Sequence, residues 1–266
     1  MPALNRPAPA KAGVLRRLAA PQQAQARLIC FPCAGAAASF YLPWRGLLGD
    51  RIALWAVQPP GREDRVAAGP VHCWESLTGE VVDAIRAMDD GLPTFLLGHS
   101  MGALLAFEVA HALARDARTA PLHLFVSGHS APELRNERAT HLLPDAELVE
   151  VLRRYEGTDP ALFANRELLE LFLPVIRADL ALDAAYRCAP RRPLAVPFTA
   201  FAGADDFVAP PASVQGWRRH TSDRFALRVF PGGHFFIRNQ LGPIADAVAT
   251  HIHGALALRS NATVTH

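Results

Sequence analysis

Short apolar runs alternate along this chain with longer stretches whose apolar residues recur every three or four positions. The runs Leu28–Phe31, Ile52–Val57, Thr94–Leu97, Leu122–Ser127, Phe198–Ala202 and Ala226–Phe230 are bounded by glycine, proline or polar residues, as buried parallel strands usually are. Between them Trp74–Met88, Met101–Arg115, Pro211–His220 and Pro243–Leu256 carry a helical period. This alternation predicts an α/β domain, a mostly parallel sheet flanked by helices. It breaks once, between Ser127 and Phe198, where Asp145–Arg154 and Arg166–Arg187 read as helices and no strand pattern occurs. A structureless loop of that length is implausible in a compact domain. Residues 133–190 are therefore predicted to be a helical insertion over one end of the sheet.

The 266 residues suffice for one such domain, with its core in 26–132 and 191–258. Residues 1–25, rich in Ala, Pro, Arg and Gln, are expected to be a mobile leader, and 259–266 a frayed tail. The leader has no apolar run long enough for a signal sequence, and nothing approaches the ~20 apolar residues of a membrane span. A cytoplasmic protein with no membrane partner is expected. The net charge of +2 points to no nucleic acid. Basic charge is nearly all arginine, Lys11 being the only lysine. The pairs Arg16-Arg17, Arg153-Arg154, Arg191-Arg192 and Arg218-Arg219 are either solvated surface or patches for an acidic partner. The four cysteines are too few and scattered for a disulfide framework. Cys30-x-x-Cys33 has no second ligand pair beside it, so no metal site is expected. No interface signature stands out, and a monomer is expected.

Candidate chemistry sharpens the picture at Thr94-Phe95-Leu96-Leu97, which leads into Gly98-His99-Ser100-Met101-Gly102 and then an apolar helix. A G-x-S-x-G sequence between a strand and a helix is the setting of a nucleophile elbow, with the serine lifted out of the sheet on a sharp turn. Met101 N–H, at the helix N-terminus, is then placed to donate to an oxyanion. Gly128-His129-Ser130-Ala131-Pro132 also follows a strand, but it lacks the second glycine and reads as a loop.

A serine needs a base, and the base an orienting partner. Among eleven histidines, His234 follows Phe230-Pro231-Gly232-Gly233 at the end of the last strand, where the base of an α/β-hydrolase belongs. His99 lies within the elbow and is expected to point away from the serine. The acid should follow the preceding strand, where Asp205 and Asp206 stand side by side. Adjacent residues face different ways, so only one reaches the imidazole. Glu133 is a more distant candidate. A second oxyanion donor is expected from the small-residue segment Phe31-Pro32-Cys33-Ala34-Gly35-Ala36-Ala37-Ala38-Ser39, with the Ala34 N–H favoured. A plain small-residue turn is the alternative.

Taken together, Phe31-Pro32-Cys33-Ala34-Gly35 with Ser39-Phe40, Pro60-Gly61-Arg62-Glu63 with Arg65, Gly98 to Ala103 with Phe107-Glu108, Asp205-Asp206, Trp217 and Gly232-Gly233-His234-Phe235-Phe236 resemble the type II thioesterases of polyketide and nonribosomal peptide synthesis. The resemblance implies an α/β-hydrolase fold whose helical lid is the insertion. It also implies hydrolysis of acyl thioesters on the phosphopantetheine arm of acyl or peptidyl carrier proteins. Its triad spacing favours Ser100, Asp206 and His234. No resident cofactor is implied, because the phosphopantetheine arm arrives with the substrate. Cys33 departs from the residue common in relatives. Lid residues Leu168, Leu169, Leu171, Phe172, Leu173 and Ile176 either pack under the lid or line an acyl channel, and Arg191-Arg192 is a candidate carrier-docking pair. The competing functions are a carboxylesterase or lipase on small free esters, a chain-terminating cyclase, and a non-catalytic carrier-docking protein.

Overall fold

The computed structural model describes residues 13–264 except 89, 135–137, 156 and 158–162. Among these residues seven strands form one sheet: β1 (Leu15–Ala19), β2 (Ala26–Phe31), β3 (Ile52–Val57), β4 (Thr94–His99), β5 (His123–Ser127), β6 (Phe198–Gly203) and β7 (Phe225–Phe230). Their order is β1-β3-β2-β4-β5-β6-β7. Only β1 runs antiparallel, against β3. Strands β2, β4, β5 and β6 are buried at every position, as sheets covered on both faces require.

One face is covered by α1 (Trp74–Arg86) and α2 (Met101–Leu113). They pack Leu77, Val81, Leu104 and Phe107 onto the sheet together with Trp217. The other face is covered by a 3₁₀ turn after β2 (Ala38–Trp44), which contributes Tyr41 and Trp44, and by the last long helix, which begins at Leu241 and contributes Ile244, Val248 and Ile252. Two helices of the insertion, α3 (Asp145–Tyr155) and α4 (Arg166–Ala185), lie between β5 and β6, and α5 (Leu241–Val264) closes the chain. This is the expected α/β-hydrolase arrangement.

Two expectations need correction. The leader was expected to run to residue 25, yet Leu15–Ala19 is an ordered edge strand paired with Leu54–Val57. Its Arg17 guanidinium stacks over Trp55. A half-buried edge strand with two central arginines shows no clear alternation, which is why its pattern is weak. Lys11 and the rest of 1–12 lie outside the described residues. The tail expected from residue 259 is instead the end of α5, which continues to Val264. Arg191, one half of the candidate docking pair, is exposed but already paired within the chain. It forks onto the Glu108 carboxylate, and its guanidinium lies over the Phe107 ring.

The C-terminal half of α4 is fixed to the core at several points. Trp74 Nε1 donates to the Leu182 carbonyl at 2.8 Å, and Tyr186 Oη donates to Glu108 at 2.5 Å. His129 Nε2 lies 3.1 Å from Asp183 Oδ1. The insertion is thus anchored at this end to α1, α2 and the loop after β5.

Candidate active site

The residues predicted to carry the chemistry converge at the carboxyl ends of β4, β6 and β7. Ser100 follows β4 with φ 54° and ψ −129°, a left-handed conformation that costs of order 1–3 kcal/mol for a residue with a side chain. The flanking glycines make the turn possible. A Cβ on Gly98 would sit 2.1 Å from the Gly102 carbonyl oxygen, and one on Gly102 would sit 2.2 Å from that of Phe31. Neighbouring backbone therefore closes to a distance no side chain permits. Ser100 N is held by the Ser127 carbonyl at 2.7 Å, which ties the elbow to β5.

His234 follows β7 and is almost fully buried, and its Nε2 stands 3.0 Å from Ser100 Oγ. Its Nδ1 stands 3.0 Å from Asp206 Oδ2. A carboxylate can only accept here, so Nδ1 carries the proton and Nε2 is left to accept from the serine. The other Asp206 oxygen accepts from Val208 N at 2.8 Å and Ala209 N at 3.0 Å, fixing the carboxylate toward the imidazole. Asp205, its neighbour, is exposed. Glu133 is paired with Arg219 and His220 instead. The geometry brings Ser100, His234 and Asp206 together and leaves the other two acids outside.

His99 lies behind the elbow, its Nδ1 3.1 Å from Ser127 Oγ, and its ring 5.3 Å from that of His234. Burial, helped by the charge of a protonated His234, holds it well below the usual imidazole range. It therefore stays neutral and does not compete as a base. Cys33 is equally buried. Its thiol is pushed up to about 12, chiefly by burial, which leaves little reactive thiolate for redox or metal chemistry. Among the described residues no cluster of three or more His, Cys, Asp or Glu side chains is arranged to hold a metal ion. No helix there is long and apolar enough to cross a membrane.

Met101 N–H opens α2, and Ala34 N–H lies in the loop after β2. Neither donates to a protein acceptor among the described residues, so both remain available to an anion beside Ser100. The Ala34 loop is held by a network of residues distant in sequence. Gly35 N donates to Asp179 Oδ2 at 2.7 Å. The Arg62 guanidinium grips both Asp179 oxygens, at 2.6 and 3.0 Å, and the Ala36 carbonyl at 3.0 Å. Ala38 N donates to Gln58 Oε1 at 2.9 Å. Arg62 belongs to a motif noted in the chain. Asp179 reads there as one more polar position on an amphipathic helix, 117 residues away.

Two cavities meet at Ser100 and His234. One, of about 280 Å³, mixes the hydrogen-bonding groups of His129, Ser130, Thr140 and Asp183 with the apolar side chains of Leu134, Leu180 and Val208. The other, of about 200 Å³, lies beside Ala34 and is walled by Phe40, Leu152, Phe172, Ile176 and Phe235. Of the six lid residues in question, Phe172 and Ile176 face this apolar cavity. Leu173 packs under the lid with Leu148 and Ile176, Leu169 packs against that cluster, and Leu168 and Leu171 are exposed.

His129, on the larger of these two cavities, carries a pH dependence of its own. Burial pushes its imidazole down, but Asp183, the Ser130 carbonyl and more distant Asp206 outweigh that and hold it above the usual histidine value. A raised folded value means that folding favours the protonated ring. That stabilisation is complete below about pH 6.5, the unfolded value, and is lost as pH rises through the higher folded value. Asp183→Asn is accordingly expected to lower Tm more at about pH 6 than at about pH 9. Thermal melts at the two pH values check this, and equal losses would contradict it.

Comparison with known proteins falls on the same ground. The thioesterase domain family matches residues 26–256. Thioesterase PikA5 of Streptomyces venezuelae is 37% identical over 239 residues, which cover 90% of this chain and 85% of its own. RedJ, a thioesterase from the prodiginine biosynthetic pathway in Streptomyces coelicolor, superposes with a TM-score of 0.81 at 41% identity, covering 90% of this chain and 95% of that one. BorB, the type II thioesterase from the borrelidin biosynthetic cluster, superposes with a TM-score of 0.80 at 36% identity over 91% of this chain and 97% of its own.

Proposed function

The chain belongs to the thioesterase domain family, and from that premise we propose that it is an editing enzyme of a polyketide or nonribosomal peptide synthase. It hydrolyses acyl groups from the phosphopantetheine arm of acyl or peptidyl carrier proteins, clearing arms that are stalled or wrongly primed. The observation that carries this reading is the junction of the two cavities at the serine. A pantetheine arm, two amides joined by short methylene links, suits the mixed cavity, and an acyl chain suits the apolar one. The thioester then spans Ser100.

In this mechanism Ser100 Oγ attacks the thioester carbonyl as its proton passes to His234 Nε2. Asp206 holds the ring in place and stabilises the imidazolium. The negative charge that builds on the carbonyl oxygen is met by the Met101 and Ala34 amides. The C–S bond breaks, and the pantetheine thiol leaves with the proton from His234. His234 then takes a proton from water, whose oxygen attacks the acyl-serine ester and releases the free acid and Ser100. No resident metal or cofactor enters this scheme.

Burial separates the two aspartates, and so should mutation. Asp206→Asn is expected to lower kcat about 10⁴-fold, because an amide leaves the wrong ring tautomer. Asp205→Asn, at an exposed position, should change kcat less than about twofold. Steady-state kinetics on one acyl-pantetheine substrate decides it, and equal losses would contradict the assignment.

The substrate class is tested by comparing kcat/KM for a short acyl group on a carrier-bound phosphopantetheine with that for the matching oxygen ester. The proposal expects the carrier thioester to be preferred by at least about 10²-fold, the contribution of binding energy beyond the reacting group. A preference for the oxygen ester would instead make the protein a free-standing carboxylesterase.

A further inference from the structure

The loop that presents the Ala34 amide is held from the lid as well as from the sheet. Asp179 and Ile176 lie one turn apart on the same face of α4, and both meet Gly35. Gly35 N donates to Asp179 Oδ2 at 2.7 Å, and a Cβ on Gly35, whose φ is +75°, would lie 2.4 Å from Ile176 Cγ1. No side chain fits between the loop and the helix.

Asp179 is 1% exposed and Arg62 2% exposed at the side chain. A buried carboxylate beside an oxyanion loop poses an electrostatic problem. Its hydrogen bond orients the loop, but its charge opposes the negative charge that develops on the substrate. Arg62 answers both needs. Its fork neutralises Asp179, and the same NH1 group reaches the Ala36 carbonyl at 3.0 Å, so the loop is gripped on both sides of Gly35.

We propose that Arg62 and Asp179 are positioning residues for thioester hydrolysis, a buried ion pair that fixes the oxyanion loop against lid helix α4 while cancelling its own charge. This rests on the reading of Ala34 N–H as an oxyanion donor. The pair touches no reacting atom and acts through the loop. Its effect belongs to the transition state, so it falls on kcat and leaves KM almost unchanged.

The test uses Arg62→Gln, Asp179→Asn and the double variant, each confirmed folded by its cooperative melt. A trifluoromethyl ketone with a short acyl chain, which forms a tetrahedral adduct with the active serine, serves as the transition-state probe. For Arg62→Gln, which leaves the carboxylate uncompensated, kcat is expected to fall about 10²-fold, as when one oxyanion donor is lost. KM should stay within about threefold, and probe affinity should fall by the same factor as kcat. Asp179→Asn, which keeps an acceptor for Gly35 N, should lose about tenfold in both kcat and probe affinity. The double variant should recover about tenfold over Arg62→Gln, because the unpaired charge is gone.

Folded variants with kcat and probe affinity within about threefold of wild type would overturn the proposal. So would a double variant whose kcat is no better than that of Arg62→Gln, since removing the unpaired charge should restore transition-state stabilisation. If the wild type itself forms no adduct with the ketone, it is the Ser100 mechanism that fails, and that outcome is read separately from the behaviour of the variants.

Discussion

Ser100→Ala is expected to lower kcat for acyl-thioester hydrolysis by about 10⁵- to 10⁶-fold, and adding His234→Ala should lower it hardly further. The two side chains act as one unit. Nε2 of His234 lies 3.0 Å from Ser100 Oγ, and a base without its nucleophile has no proton to take. The residue left after either loss is the pair of amides at Met101 and Ala34, with about 10³-fold or more of catalysis over water still available from them and from substrate binding. Substrate affinity should change far less than kcat, because most of the wall of both cavities is formed by other residues. Single-turnover kinetics on the single and double variants measures the coupling. Multiplicative losses would mean that Ser100 and His234 act independently, which the geometry does not allow.

The second large effect is on folding. Gly98→Ala and Gly102→Ala are each expected to destabilise the chain by more than about 4 kcal/mol, at the upper end for single substitutions. Both would drive a methyl into backbone that lies 2.1 and 2.2 Å away. Backbone cannot swing aside as a flexible side chain can. The two clashes also lie at the crossing of β4, α2 and the end of β2, so relieving either one means moving the elbow. Gly79, within α1, is the control. Nothing lies within 4 Å of its Cβ position, and Gly79→Ala should stabilise by up to about 1 kcal/mol through helix propensity. Urea unfolding of the three variants gives the comparison. Folded, active Gly98→Ala or Gly102→Ala enzymes would contradict the packing described.

These two cases mark what could be read from the chain directly. The six parallel strands were legible because each is a short, mainly apolar run between breakers. Ile52–Val57 was placed with both ends correct, and the others shifted by a few residues at most. The elbow was legible because local sequence and local structure coincide in it. Where a decision depends on burial, the sequence is silent. Asp205 and Asp206 are chemically identical, and only the turn after β6 buries one against His234 and exposes the other. Residue spacing in related chains, a different kind of information, had to make that choice.

Long-range pairing was least legible. Arg191 looks like surface charge in a run of Arg and Pro, yet it forks onto Glu108 and stacks over Phe107. Asp179 looks like a solvated helix position, yet it is fully buried against Arg62. Neither partner lies within a helical turn or strand register of the other, so no periodicity reveals them. Edge strand β1 escaped for the opposite reason, having too little burial to leave a pattern.

The most direct test of the central claim is the intact mass of a carrier protein bearing a short acyl-phosphopantetheine, followed during incubation with wild-type protein and with Ser100→Ala. The account predicts that the wild type removes the acyl mass and leaves the phosphopantetheine arm on the carrier, whereas the Ser100→Ala carrier stays acylated. Acyl mass lost at the same rate with both proteins, or retained with both, would contradict it.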